Sequence, residues 1–246
     1  ELDMLGRIHT YEEFLQSYHW ARKAGFSNIN VDLMFAIPGQ TCENWKHNLE
    51  TIAELSPEHI SAYSLIIEEG TPFAQKKLIL PTEDEEYQMY EDTAEILRKY
   101  GFHQYEISNY ARDGFECRHN KGYWQRTEYL GAGLGAASLF QGKRFSNTRD
   151  MQTYLADSTE PEKIREDVTA LSRNNEIEEF MFLGLRMTEG ISERQFERNF
   201  GCRIEDIYGS VLAKYKEMDL LEHTGEFWRF TRNPCEQSSP GRFSAG

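Results

Sequence analysis

Three segments of the 246-residue sequence gather side chains able to do chemistry. The first centres on Asp32, a carboxylate inside an otherwise apolar run, Val31-Asp32-Leu33-Met34-Phe35. In a sheet covered on both faces a buried charge is costly unless paired. Asp32 is therefore expected to meet a ligand hydroxyl, an amine or a basic side chain in the interior. The alternative is an internal salt bridge or a strand-end cap. The turn that follows, Ala36-Ile37-Pro38-Gly39-Gln40-Thr41, supplies backbone donors and a tight approach to the sheet end, although Pro-Gly turns before helices are common.

The second segment is Cys117-Arg118-His119-Asn120-Lys121-Gly122-Tyr123-Trp124, read as a loop after a strand. An imidazole or thiolate can ligate iron while Tyr and Trp faces pack on a planar macrocycle. Equally, Tyr123 and Trp124 can anchor the loop to the core while His119 caps backbone. The third is Tyr129-Leu130-Gly131-Ala132-Gly133-Leu134-Gly135-Ala136-Ala137-Ser138, whose glycines lack dinucleotide-fingerprint spacing. It is expected to be a glycine-rich strand approached by a flat ligand, with a tightly packed strand as the alternative. Cysteines stand at 42, 117, 202 and 235, with no short Cys-x2-Cys or Cys-x3-Cys pair, so any iron–sulfur cluster must be supplied from outside these residues.

Alternating helices and strands would position these segments. Thr10 with Glu13 forms a capping box opening a helix that Gly25 ends, and Asn28 to Phe35 reads as a strand. A helix from about Cys42 to Leu55, a strand near His59 to Ile66, a helix from Thr82 to Tyr100 and a third strand, His103 to Ile107, follow. This alternation predicts β-α-β units in a parallel sheet, with chemistry in the loops after the strands. Beyond residue 172 the pattern becomes helical: Ser172 to Met187, a capping box at Ser192 and Gln195, Ile204 to Met218, then a hairpin over Leu220 to Thr231. Three helices and a hairpin suggest a winged-helix shape.

Such a shape often binds DNA, but 41 acidic against 27 basic residues, a net charge of −14, repel phosphate backbones and anionic membrane surfaces. No nucleic-acid partner is expected. No apolar run approaches the roughly 20 residues of a membrane span, and the first residues lack a basic region followed by an apolar one. The expectation is a cytoplasmic protein without an integral membrane segment. Residues 235 to 246 are polar and aperiodic, as in a disordered tail.

Several motifs in order resemble one family. Leu5-Gly6-Arg7-Ile8-His9-Thr10, then Gly25 through Met34 running into Ile37-Pro38-Gly39-Gln40-Thr41, looks like the middle of the radical S-adenosylmethionine proteins related to oxygen-independent coproporphyrinogen III oxidase. His119-Asn120-x-x-Tyr123-Trp124 resembles the signature of that family's heme-chaperone branch. Leu183-Gly184-Leu185-Arg186-x-x-Glu189-Gly190-Ile191 is similar to the start of its C-terminal domain, and the match covers roughly residues 2 to 232.

The resemblance implies an α/β fold: a partial (β/α) barrel lacking its first strands over 1–165 and a small, mainly helical, winged-helix-like domain over 166–233; residues 234–246, read as a disordered tail, leave the family pattern. It implies S-adenosylmethionine contacts at Arg7 and Asp32, with Ile66 and Ala137 lining the same pocket. It assigns heme binding to His119, Asn120, Tyr123 and Trp124, with His119 toward the iron; spacing alone leaves Cys117 open as the ligand. A [4Fe-4S] cluster belongs to the complete protein, whose Cys-x3-Cys-x2-Cys motif this sequence lacks, so no radical chemistry is expected of the chain alone. Gly135-Ala136-Ala137-Ser138 also replaces the family's usual Gly-Ala-His-Ser. The implied function is heme binding and delivery to an unidentified acceptor protein; the alternative is oxidative decarboxylation of porphyrinogen propionates. An unrelated barrel lyase explains neither the histidine segment nor the C-terminal one.

Overall fold

A computed structural model describes residues 1–231, in two compact units, Glu1–Glu116 and Cys117–Arg232. The tail expected over 234–246, Cys235 included, lies outside the described residues.

The first unit begins with α1 (Tyr11–Lys23), whose capping box is formed as expected: Thr10 accepts from the Glu13 N–H and Glu13 accepts from the Thr10 N–H. Tyr18 is the buried residue of this helix; its hydroxyl donates to Leu55 O at 2.9 Å and accepts from Arg22. Arg22 continues to Glu58 at 2.8 Å, and although burial pushes the Glu58 carboxyl up, Arg22 and the Ile29 N–H hold it below its ordinary value. Strand β1 (Asn30–Phe35), α2 (Cys42–Glu54) and β2 (His59–Ser64) then form a β-α-β unit with β1 and β2 parallel, Asp32 opposite Ser61. Helix α3 (Glu83–Lys99) opens on the Thr82–Glu85 box.

The expected third parallel strand over His103 to Ile107 is not what forms. Instead β3 (His103–Gln104) turns back into β4 (Asn109–Ala111), and the sheet order is β1-β2-β4-β3 with β4 antiparallel to both neighbours. The cause is Glu106, fully buried, whose carboxylate turns inward to accept from the Ser108 N–H and the Asn109 side-chain amide. A buried carboxylate that draws two donors of the turn onto one oxygen breaks the ladder where strand propensity alone would continue it.

One sheet face is apolar. Val31, Phe35, Ile60, Ala62 and Tyr110 pack with Trp45 and Leu49 of α2 and Met89 and Leu97 of α3. Trp45 is fully buried, and its indole N–H donates to Met89 O at 3.0 Å and Thr93 Oγ1 at 2.9 Å.

In the second unit, α4 (Arg118–Trp124) precedes an antiparallel sheet of β5 (Ala137–Phe140), β6 (Lys143–Asn147) and β7 (Arg165–Ala170), with α5 (Met151–Asp157) between the last two. Then come α6 (Arg173–Gly184), β8 (Ile191–Ser192), α7 (Glu193–Phe200), α8 (Ile204–Glu217), β9 (Leu221–Thr224) and β10 (Phe227–Phe230). The hairpin forms as expected and gains β8 as a third strand beside β10. Ser192 caps α7 through the Gln195 N–H, but its hydroxyl donates to Glu226 at 3.0 Å, and Gln195 does not complete a box. Ile177, Phe180, Phe196, Ile204, Leu212 and Trp228 form the core. Gly190, at φ 85, lies so close to the Trp228 carbonyl that a Cβ would collide with it.

Replacing Trp45 by Ala removes both the largest side chain under the sheet and its two hydrogen bonds. The first unit should lose about 3–5 kcal/mol, read by urea denaturation; a loss below about 1 kcal/mol would contradict this packing.

Candidate functional site

The other face of the first sheet is polar, and the parallel register explains why. Residues two apart share a face, so Asn30 and Asp32 of β1 stand beside His59 and Ser61 of β2, and Ser61 beside Asn109 of β4. Their side chains form a directed chain. The Tyr105 hydroxyl lies 2.8 Å from His59 Nε2, His59 Nδ1 lies 2.6 Å from Asn30 Oδ1, and Asn30 Nδ2 donates to Asp32 Oδ1 at 2.6 Å.

The donor inventory fixes the proton positions. Asn30 spends an N–H on Asp32, so its carbonyl must accept, and His59 Nδ1 must carry the hydrogen. His59 Nε2 is then the acceptor for Tyr105. Burial lowers the His59 pKa below its ordinary value, against an opposing pull from Asp32, which keeps the ring neutral. Ser61 sends its single hydrogen to Asn109 Oδ1 at 2.7 Å, and Asn109 donates to Glu106.

Asp32 differs from its expectation. The carboxylate is exposed rather than buried, because among the described residues α2 and α3 cover only the opposite face. Its partner is Asn30 rather than a basic side chain. Arg7 is exposed in the irregular segment between the turn at residues 2–6 and α1, and Ile66, 77% exposed, follows the carboxyl end of β2. Both stand in the same unit as Asp32. His59, Ser61 and Asn109 were not among the expected site residues. The alternation Asn30, Asp32 and His59, Ser61, polar at every second position between apolar ones, is the signal that marks them.

In the second unit the histidine segment is a helix, not a loop. Seven residues form α4, with Cys117 half-buried at the N-cap position. His119 and Tyr123, four apart, lie on one side, their rings edge to face at 4.4 Å, and Tyr123 meets Tyr129 in the same way at 4.6 Å. His119 is exposed, Asn120 half-buried. Trp124 follows His119 by five positions, about 140° around the helix, and lines a small cavity with Phe180, Met187 and Phe227.

The glycine-rich segment forms a folded loop rather than a strand. Tyr129 bridges Leu139, and the chain between is pinned by Asn147 Nδ2 donating to the Gly131 and Gly133 carbonyls and by Ser138 Oγ accepting from the Gly131 N–H. A Cβ on Gly131 would strike the Ala136–Ala137 backbone, so close chain-to-chain packing accounts for that glycine. Ala137 is exposed at the start of β5.

The residues present differ in how well they suit the implied groups. Among the described residues no set of three His, Cys, Asp or Glu side chains could hold a metal ion, and these residues do not fit a [4Fe-4S] cluster. The exposed, pre-oriented Asp32 carboxylate suits a donor-bearing ligand, and the exposed His119 imidazole suits an axial position on heme iron. Among the described residues no helix is long and apolar enough to cross a membrane.

The fold matches the solved structure of coproporphyrinogen III oxidase (HemN) from Escherichia coli, a radical SAM enzyme, with a TM-score of 0.77 at 20% identity, over 94% of this chain and 57% of that one. Residues 171–233 match the HemN C-terminal domain. The chain is 40% identical over 224 residues to the heme chaperone HemW of Lactococcus lactis, covering 89% of this chain and 59% of that protein. It is 38% identical to HemW of Bacillus subtilis, over 91% and 60%. It is 34% identical to the zebrafish (Danio rerio) mitochondrial radical S-adenosyl methionine domain-containing protein 1, over 80% and 47%. Residues 171–233 thus carry the HemN C-terminal domain, and the chain is a homologue of the HemW proteins that spans about three-fifths of their length.

The relay predicts a pH dependence. His59 is neutral in the folded chain and titrates near its ordinary value of 6.5 when unfolded, so its contribution to stability is complete above that pH. Stability should fall as the pH drops from about 6.5 toward the lowered folded value. Urea midpoints measured between pH 7.5 and 5 should decline, and His59→Gln should flatten the decline. An equal slope in that variant would contradict the assignment.

Proposed function

We propose that the chain forms the heme-presenting part of a heme chaperone, acting in the cytoplasm. The observation that carries the reading is His119: an exposed imidazole, braced edge-on by Tyr123, on a short helix in a chain 40% identical to HemW. A neutral imidazole is a good axial ligand, and the half-buried Tyr123 ring adds an aromatic edge beside it for a porphyrin to pack on. Asn120 completes the heme-contacting part of the assigned segment, and Trp124 closes the helix behind it. Bound heme would pass from this face to an acceptor protein.

In the complete protein we assign S-adenosylmethionine contacts to Arg7, Asp32 and Ile66 of the first unit. Asp32 would accept hydrogen bonds from the ligand's amine or hydroxyl groups, and Arg7 would donate to its carboxylate. The cluster and the cofactor together supply reductive cleavage chemistry when present. The part played by these residues is binding and orientation.

Hemin titration with absorbance detection tests the heme assignment. His119→Ala should shift the Soret band and weaken affinity, whereas His103→Ala should not, because His103 is already engaged by Asp113 at 3.2 Å and Glu116 at 3.1 Å. An unchanged spectrum in His119→Ala would overturn ligation by this helix.

A further inference from the structure

The histidine segment and the segment that opens the C-terminal domain meet in the second unit. The Arg186 guanidinium carbon lies 4.2 Å from the centre of the Trp124 ring. That distance is a cation–π contact, and Trp124 Nε1 and Arg186 Nε are both buried without a hydrogen-bond partner, so the ring contact is what holds the guanidinium there.

A second tie lies just past the helix. Thr127 donates its N–H to Gly122 O at 2.8 Å and Arg126 donates to Tyr123 O at 3.1 Å, the paired bonds of a Schellman ending. Arg126 therefore occupies the left-handed position, at φ 55, which favours glycine. What an arginine adds there is its side chain. Half-hidden beneath its neighbours, it sets Nε 3.0 Å from Glu179 Oε2 and Nη2 3.7 Å from Glu176 Oε1, both on α6. Glu179 also holds Arg144 at 2.9 Å, a shared carboxylate between two guanidiniums.

A seven-residue helix is too short to hold its own shape in water. Its direction must come from what it docks against, and both ties lead to the domain that begins at residue 171. We propose that this domain positions the His119 helix: Arg186 on Trp124 and Glu179 on Arg126 set the orientation in which the imidazole is presented. Trp124 is then a positioning residue that faces the domain and not the porphyrin. This rests on the heme reading given above.

The test uses the whole 246-residue chain and two readouts. Amide hydrogen exchange over residues 118–124 reports docking, and the Soret band of added hemin reports presentation. Arg126→Gly is the discriminating variant, because a purely local cap would be unharmed or improved by glycine. Positioning predicts instead that exchange over the helix accelerates by on the order of tenfold, with the unfolding midpoint of the rest of the chain unchanged and the hemin spectrum shifted. Arg186→Leu should do the same, and Arg186→Lys, which keeps a cation over the ring, should restore most of the protection. If Arg186→Leu fails to fold, Glu179→Gln supplies the second comparison.

Should His119→Ala leave the hemin spectrum unchanged, the heme reading falls and the positioning role falls with it. Should His119→Ala shift the band while Arg126→Gly and Arg186→Leu leave both exchange and spectrum as in the parent chain, the positioning proposal alone is overturned.

Discussion

A neutral imidazole between two strands organises the polar face on which the first unit depends. Buried at 4% exposure, His59 can be neither charged without cost nor left unpaired. Its two nitrogens are satisfied on opposite sides, by Tyr105 and by Asn30, in the arrangement that also lets the Asn30 amide donate to Asp32. Asp32 is thereby presented to its surroundings with one oxygen already engaged. The exposed carboxylate owes its placement to a buried ring one strand away.

The same sheet needs its apolar face for the relay to exist. Trp45, Leu49, Met89 and Leu97 pack beneath Val31, Ile60 and Tyr110, and that packing fixes the register that puts Asp32 beside Ser61. A slip of one residue would exchange the faces, placing Ile60 outward and His59 against the helices. Hydrophobic patterning thus sets the polar geometry. In the second unit the logic is inverted: α4 is too short to be independent, and partly buried charges rather than an apolar stripe tie its end down.

Much of this was legible in the sequence because its signals are local. Thr10 with Glu13, Thr82 with Glu85, and Gly225 between Leu221–Thr224 and Phe227–Phe230 each act within a few residues, and each appears where expected. The homology to HemW, likewise, was readable from ordered motifs. What escaped depended on contacts distant in sequence or on side chains competing with the backbone. Glu106 bends a strand by accepting hydrogen bonds that propensity does not count. Gly131 looked like an opening for a ligand and is instead filled by the chain's own backbone at Ala136 and Ala137. Asp32 looked buried because its neighbours are apolar, yet the strand alternates, and the side that faces away from α2 and α3 carries it.

Nitrogen-15 NMR of the histidine side chains at pH 7 tests the relay most directly. The account predicts that His59 is neutral and protonated on Nδ1, with a hydrogen bond to Asn30 detectable across Nδ1, and that Asn30→Ala removes that coupling. A His59 ring protonated on Nε2, or one carrying both protons at pH 7, would contradict it.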